Sequence, residues 1–367
     1  MRITRITFSE VKLPLPQVLR LGSMAIKTRD FVAVRMETDA GICGDALGYS
    51  RGTPLIEALS TAARGLVGGN PLMRKQAMHA FEQASITSRP TYLRATSLLD
   101  IALWDVCAQA AKLPLYQLLG GLRSSVPVTA VAGYYMDTRS VDDIAMEVKQ
   151  RVDEGYARVK VMLKGDDDAF DEKYINAVVQ AAPGQVAADA HWSWRSLTEA
   201  MRFCGRIDHC GLAFLEDPFA PHDTDLAARL QEQLCTPVAA GEDVVNPSAM
   251  NQLAHDVAVL RVDATTCGGI TGALSALHAA SAGGCTVFPH VFAPLHLHLA
   301  CAFSQVEGVE FIPPESGADP IEKLLLRPIR IDHGHMTVDD QPGAGMTLNW
   351  PQVQALASRT VVLDSTV

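Results

Sequence analysis

Residues 212–218 read LAFLEDP and residues 237–243 read PVAAGED. Each is a short apolar run that ends in acidic residues, and a helical stretch separates the two. Such a run suits a strand buried on both faces, as in a parallel sheet covered by helices. The same unit recurs on both sides. VPVTAVA (126–132), ARVKVML (157–163) and QVAADA (185–190) precede the pair, and AVLRVDA (258–264), CTVFPH (285–290) and VEFIPP (309–314) follow it. Strands roughly 20 to 30 residues apart with helices between them describe a (β/α) barrel in the α/β class. A doubly wound sheet is the alternative, but eight repeats without a Gly-rich dinucleotide fingerprint favour the barrel.

The flanks differ. Residues 1 to about 50 read as strands, and FVAVRMETDAGICGDAL (31–47) reads as a hairpin turning at Asp39-Ala40-Gly41. Residues 54–122 read as helices. In the stretch 95–121, Leu98, Ile101, Ala102, Trp104, Asp105 and Ala108 recur at helical spacing before Pro114 and the Gly120-Gly121 break. After Leu326, PIRIDHGHMTVDDQPGAGMTLNW reads as strands and turns able to pack back on the N-terminal region. The expected divisions are an α+β domain at 1–125, a barrel at 126–325 and a returning segment at 326–367.

The 367 residues are 48% hydrophobic and 20% charged, enough apolar material for a large core. A net charge of -10 argues against nucleic acid or an anionic membrane as partner. It does not exclude an anionic substrate, because a local metal outweighs distant surface charge. The eight cysteines form no CxxC pair and read as buried free thiols of a reducing compartment. The opening MRITRITFSEVKLPLP alternates like a strand and lacks a signal-peptide core, and no apolar run is long enough to span a bilayer. The expected location is the cytoplasm.

Polar residues fall at one end of the strands. Lys160 lies within the second, Asp189 ends the third, Glu216 the fourth and Glu242 the fifth. Asp263 ends the sixth, His290 the seventh, and Glu315 follows the eighth. A single acid after a strand is ordinarily a helix cap. The whole series at the barrel's catalytic end is not explained by capping. Asp189, Glu216 and Glu242 would repel one another unless a cation sat among them. Hard oxygen ligands suit Mg²⁺, whereas the set lacks the sulfur that would favour zinc. Asp263 beside His290 would fix the imidazole tautomer and raise its basicity, making a general base. His296 and His298 alternate with leucines and read as packing residues.

DAHW, FLEDPF, AAGED, RVDATTCGGI and FPHVF, in that order, resemble the strand-end motifs of the enolase superfamily, in particular its mandelate racemase and muconate lactonizing enzyme subgroup. ALWDVCAQAAKLPLYQLLGG resembles the helix that joins that family's capping domain to its barrel. The resemblance covers nearly the whole chain. It implies an α+β capping domain on a modified (β/α)₇β TIM-type barrel. It implies Mg²⁺ on Asp189, Glu216 and Glu242, Asp263 and His290 as the base dyad, and Lys160 stabilising an enolate. Glu315 would donate to the enolate oxygen. The segments 20–30 and 45–52 would be mobile loops over the substrate, with Arg20 and Tyr49 as contacts. The substrate would be a small carboxylate and the assembly a homo-oligomer.

Two departures bear on the reaction. The subgroup usually carries Lys-x-Lys in the second strand, with the second lysine a base. Here the strand reads Lys160-Val161-Met162, so Met162 takes that place, and Lys164 shares its parity nearer the loop. His191 stands where Asn is more usual and would orient a ligand or serve as a second acid. A two-base racemase needs a base on each face of the enolate, whereas dehydration of a sugar acid can run on His290 alone. Dehydration is therefore the expected reaction. Racemisation, epimerisation, cycloisomerisation and a non-catalytic relative are the alternatives.

Overall fold

The computed structural model describes residues 1–21 and 24–364. An antiparallel meander begins the chain: β1 (Ile3–Leu21), β2 (Met24–Thr38) and β3 (Cys43–Tyr49). Along β1, Val11, Leu13 and Leu15 are buried while Lys12, Pro14 and Pro16 face out, the period-two pattern of a one-sided sheet. Between β2 and β3 the chain turns at Gly41, whose φ of +73° suits glycine.

The resemblance led us to expect loops over 20–30 and 45–52. The described residues of 20–30 lie in strands, and 45–49 are strand with a turn at 51–52. Arg20 pairs with Ala25 and Leu19 with Ile26 across the β1–β2 hairpin, whose tip at 22–23 lies outside the described residues. β3 runs through Tyr49, pairing with Phe31. The apolar residues at alternate positions keep both segments paired; the β1–β2 register shifts between Ile3 and Arg5 and again between Pro14 and Leu19, where Pro14 and Pro16 offer no N–H.

The helix Arg89–Ala111 is buried on most of its circumference. It lies between the meander, the helix Leu55–Ala63 and the helix Gly269–Gly283 of the barrel, so it needs no polar face. Its approach to β3 is close. A Cβ on Gly44 would stand 2.1 Å from the Ala102 carbonyl oxygen. At its other side Asp100 accepts from Thr271 N at 2.9 Å, and Ser97 Oγ accepts from Gly268 N at 2.8 Å. Two side chains of this helix thereby cap the first turn of a barrel helix.

All eight barrel strands read from the sequence form. They are β4 (Ser125–Ala132), β5 (Arg158–Met162), β6 (Val186–Asp189), β7 (Leu215–Glu216), β8 (Val238–Ala240), β9 (Val259–Val262), β10 (Thr286–Pro289) and β11 (Val309–Phe311). Neighbours from β4 to β10 pair in parallel, and β11 pairs with β4. The ring closes through a parallel bridge between Val287 and Val306. The fold is a modified TIM-type barrel with a capping domain. Side chains two apart share a face, so the interior is layered. Ala187, Phe214, Ala239, Val259 and Phe288 pack together as a small apolar floor. Residues two further along β6, β7, β9 and β10 are Asp189, Glu216, Arg261 and His290.

The later chain returns twice. β12 (His335–Thr337) pairs antiparallel with β4, and β13 (Ala357–Asp364) pairs antiparallel with β1. Two buried aspartates join the pieces. Asp45 accepts from Trp350 Nε1 at 2.8 Å and Leu348 N at 3.2 Å. Asp105 accepts from Asp45 N at 2.9 Å, Ala344 N at 2.7 Å and Gln109 Nε2 at 3.0 Å.

Burial pushes Asp105 up to about 7, against the hydrogen bonds from the Asp45 and Ala344 amides. A carboxyl raised in the fold binds more protons there than in the unfolded chain. Its contribution is full below the unfolded value of 3.8 and is lost as pH rises through about 7. Asp105→Asn places an amide donor against amide donors and should cost about 1–3 kcal/mol at pH 5. The deficit should narrow at pH 8, where the wild type bears a buried charge. Thermal unfolding of both proteins across pH 5–8 measures this, and a gap independent of pH would refute it.

Candidate active site

A cavity opens at the C-terminal end of the barrel strands. Lys160, Met162, Asp189, His191, Glu242, His290 and Glu310 line its barrel side, and Leu21, Arg29, Tyr49 and Arg51 reach it from the capping domain. Glu216 lies beneath, fully buried.

The charges below the cavity interlock across the barrel. Lys160 Nζ lies 2.9 Å from Glu216, 2.9 Å from Glu310 and 3.2 Å from Asp189. Arg261 Nε lies 3.0 Å from Glu216, and its Nη2 is 2.8 Å from Glu310 and 3.4 Å from Glu242. Arg261 Nη1 donates to the Phe288 and Pro289 carbonyls. Burial alone would raise Asp189 and Glu310. Lys160 and His191 hold Asp189 below the usual carboxylate range, and Arg261 and Lys160 do the same for Glu310. Glu242 goes the other way, pushed well up by burial and then by Asp217 and Glu216.

His290 Nδ1 stands 2.9 Å from Asp263 Oδ2, and its Nε2 is 3.4 Å from Glu242. Burial, then Arg51, Arg261 and Lys160, push the imidazole well below its usual range, so it is neutral and able to take a proton. Asp263 accepts from Thr265 N at 2.7 Å, which holds it against the ring. His191 sits in the left-handed region at φ +46° and stacks on Trp192, with its Nδ1 3.8 Å from Asp189 and its Nε2 buried without a partner. Tyr49 donates to Asp319 at 2.5 Å.

Three residues singled out in the sequence fall elsewhere. Glu315 is in a surface turn with its side chain 60% exposed, 2.7 Å from Arg151. It stands beyond the strand end, whereas Glu310 lies within β11 and faces inward between Lys160 and Arg261. Glu315 thus lies away from the cavity, and Glu310 is the acid of β11 that lines it. Lys164 turns outward, with Nζ 3.7 Å from Asp166 and packed over Phe170. Arg20 pairs with Asp137 at 3.3 Å. Lys164 and Arg20 line a separate surface cavity. His296 and His298 are satisfied packing groups: His296 Nε2 accepts from Ala264 N and His298 Nδ1 from Tyr116 N.

Arg261, Glu310, Arg29 and Arg51 were missed. The signal for the first two was present, since each interrupts an apolar strand at the inward parity already recognised for Lys160. Arg29 and Arg51 carry no such signal, because their place depends on how the cap meets the barrel.

Residues 2–120 match the mandelate racemase / muconate lactonizing enzyme N-terminal domain, and residues 143–353 match the enolase C-terminal domain-like family. The chain belongs to this branch of the enolase superfamily. Arabinonate dehydratase of Saccharolobus solfataricus is 26% identical over 90% of this chain and 91% of its own. N-succinyl-L-Arg/Lys racemase of Bacillus cereus is 26% identical over 97% of this chain and 98% of its own. The structure of L-talarate dehydratase from Polaromonas sp. JS666, complexed with Mg and L-glucarate, superposes with a TM-score of 0.88 at 26% identity, covering 99% of both chains.

The residues present fit a divalent cation of the kind this family implies. Asp189, Glu216, Glu242 and Glu310 are four buried carboxylates, with Lys160 and Arg261 among them and Arg51 3.8 Å from Glu242. Glu216 Oε2 is buried without a partner. The donors are all oxygens, which suits Mg²⁺. Asp189, Glu216 and Glu242 have Lys160 and Arg261 between them. Among the described residues, the trio of ligand-type atoms all within 4.8 Å of one another is a different one, Asp208, His209 and Cys235. That trio sits in loops entering β7 and β8, away from the cavity, and its Asp208 oxygens already accept from the Cys235 and Thr236 amides.

Two measurements check the site. Mg²⁺ at a hundred times its dissociation constant should stabilise the fold by about 2.7 kcal/mol in thermal melts, and Asp189→Asn should flatten that response. Glu310→Ala should lower turnover by more than about a hundredfold, because it removes one of the two carboxylates that Lys160 and Arg261 share. Glu315→Ala should stay within about twofold of wild type. The reverse ranking would restore Glu315 to the site.

Proposed function

We propose that this chain removes the proton α to the carboxylate of a sugar acid and dehydrates the acid to a 2-keto-3-deoxy acid. One observation carries the reading: the base is one-sided. His290, held by Asp263, faces the cavity, while the inward position two residues beyond Lys160 is filled by Met162, which cannot accept a proton. Lys164 does not compensate, since its amine turns out toward Asp166.

Asp189, Glu216 and Glu242 would hold Mg²⁺, which when bound supplies positive charge beside the substrate carboxylate. Lys160 adds a fixed cation at the cavity floor, where low dielectric makes it effective against a developing oxyanion. Neutral His290 takes the α-proton at Nε2 while Asp263 steadies Nδ1–H. The imidazolium then returns that proton to the β-hydroxyl. The C–O bond breaks, water leaves, and the resulting enol becomes the 2-keto acid. Proton and leaving group travel on one face, as a syn elimination through one residue requires. His191 and Tyr49, both at the cavity wall, are the proposed substrate contacts from the earlier set.

The names of the arabinonate and talarate relatives support dehydration of a sugar acid. The racemase relative spans the chain as fully, and racemisation is the second reading. It requires a base opposite His290, where Met162 stands.

Incubation with Mg²⁺ and a library of sugar acids in D₂O decides between them. Dehydration yields a 2-keto-3-deoxy product, whereas racemisation yields α-deuterium with no loss of water. His290→Asn should lower turnover by at least about a thousandfold while the Mg²⁺-dependent melting shift persists. Retained turnover in that variant would remove His290 from the mechanism.

A further inference from the structure

On the face of the barrel opposite the cavity, the chain enters β7 and β8 through two neighbouring loops. These strands pair side by side, Leu215 with Val238, so the loops leading into them meet. The first loop follows the helix Leu197–Ile207 and carries Asp208 and His209. The second follows the helix Thr224–Gln231 and carries Cys235. Asp208 ties the two together. Its Oδ1 accepts from Thr236 N at 2.8 Å, its Oδ2 from Cys235 N at 3.0 Å, and its main-chain carbonyl from Thr236 Oγ1 at 2.8 Å.

That tie accounts for Asp208 but not for what stands beside it. One ligand-type atom each from Asp208, His209 and Cys235 lies within 4.8 Å of the others. Cys235 is the exposed thiol among the described residues, the other cysteines being buried or half-buried. His209 is exposed as well. Among the described residues, no other side chain holds the His209 ring or the Cys235 thiol by a hydrogen bond. Both are therefore free to turn, whereas the Asp208 carboxylate is fixed by the two amides. Each of its oxygens still has a second lone pair to offer.

The donor set selects the cation. A thiolate, an imidazole and a carboxylate suit borderline-soft Zn²⁺ and not Mg²⁺, which prefers oxygen alone. Tetrahedral Zn²⁺ with such ligands places the donor atoms roughly 3.3–3.6 Å apart. Small rotations of the two exposed side chains reach that spacing.

We propose that Asp208, His209 and Cys235 form a second metal site, which takes one Zn²⁺ and clips the two loops together. The fourth position faces solvent and is filled by water. The clip would brace, from below, the two strands whose upper ends lead to Glu216 and Glu242. None of its three residues lines the cavity, so the site stands whether or not the proposed reaction does.

The test titrates Mg²⁺-saturated protein with Zn²⁺ in calorimetry and with Co²⁺ in absorbance, for wild type, Cys235→Ser, His209→Gln and Cys210→Ser. Wild type should bind one Zn²⁺ equivalent and show a thiolate-to-cobalt charge-transfer band. With Zn²⁺ at a hundred times its dissociation constant it should melt about 2 °C or more higher. Cys235→Ser should lose the band, and both it and His209→Gln should bind Zn²⁺ at least about tenfold more weakly. Cys210→Ser, next to the site but outside the ligand set, should keep the band. Zn²⁺ should also shield Cys235 of the wild type from alkylation by iodoacetamide, a readout that needs no variant. No charge-transfer band in wild type, a band undiminished in Cys235→Ser, unchanged Zn²⁺ affinity in His209→Gln, or no rise in melting would overturn the proposal.

Discussion

The structure turns on a buried electrostatic constraint. Buried carboxylates and cations interlock in the barrel interior, and Arg261, like Lys160, reaches three of the acids. Its guanidinium cannot lose its proton in a protein, so it is a charge the site never gives up. It touches Glu216, Glu242 and Glu310 and is anchored by the Phe288 and Pro289 carbonyls. Removing an ion from such a set leaves its partners buried and uncompensated, which costs far more than the pair is worth when intact. The lattice of ion pairs keeps the carboxylates oriented at the floor of the cavity.

The same constraint explains the need for a cap. An open barrel mouth would let water screen these charges, and the fields that stabilise an oxyanion would weaken. The capping domain covers the mouth with Tyr49, Arg29 and Arg51, all in or just after strands. Its position is set far from the mouth, through the enclosed helix Arg89–Ala111 and the paired aspartates Asp45 and Asp105. The aspartates bind the meander, that helix and the returning segment into one polar knot, and Ser97 and Asp100 tie the helix to the barrel. The cap side chains at the cavity thus come from elements firmly referenced to the barrel.

Much of this was legible in the amino-acid order because parallel barrel strands advertise themselves. They are buried on both faces and end at the site, so an apolar run followed by an acid carries both fold and function. Asp189, Glu216, Glu242, Asp263 and His290 were visible for that reason. Glu310 was overlooked because a nearby acid, Glu315, also follows the strand, and the choice depended on inward parity rather than proximity. Arg261 was passed over as a strand residue although it shares parity with Asp263. The alternation of residues 1 to about 50 reads as strands, and it was the family resemblance that implied loops over 20–30 and 45–52. Arg29 and Arg51 were beyond sequence reasoning, since a side chain's reach across a domain contact is a property of packing.

The pairing of β13 with β1 has a consequence for how the chain is made. Ile6 faces Leu363 across that ladder, so the outer edge of the first strand stays open until residues 357–364 have been synthesised. Loop closure over nearly the whole chain carries an entropic cost that local contacts do not share. During synthesis the meander's outer edge is an exposed template for wrong partners, while the barrel strands pair with close neighbours as they emerge. The sheet of the capping domain is then completed only by the last described residues of the chain.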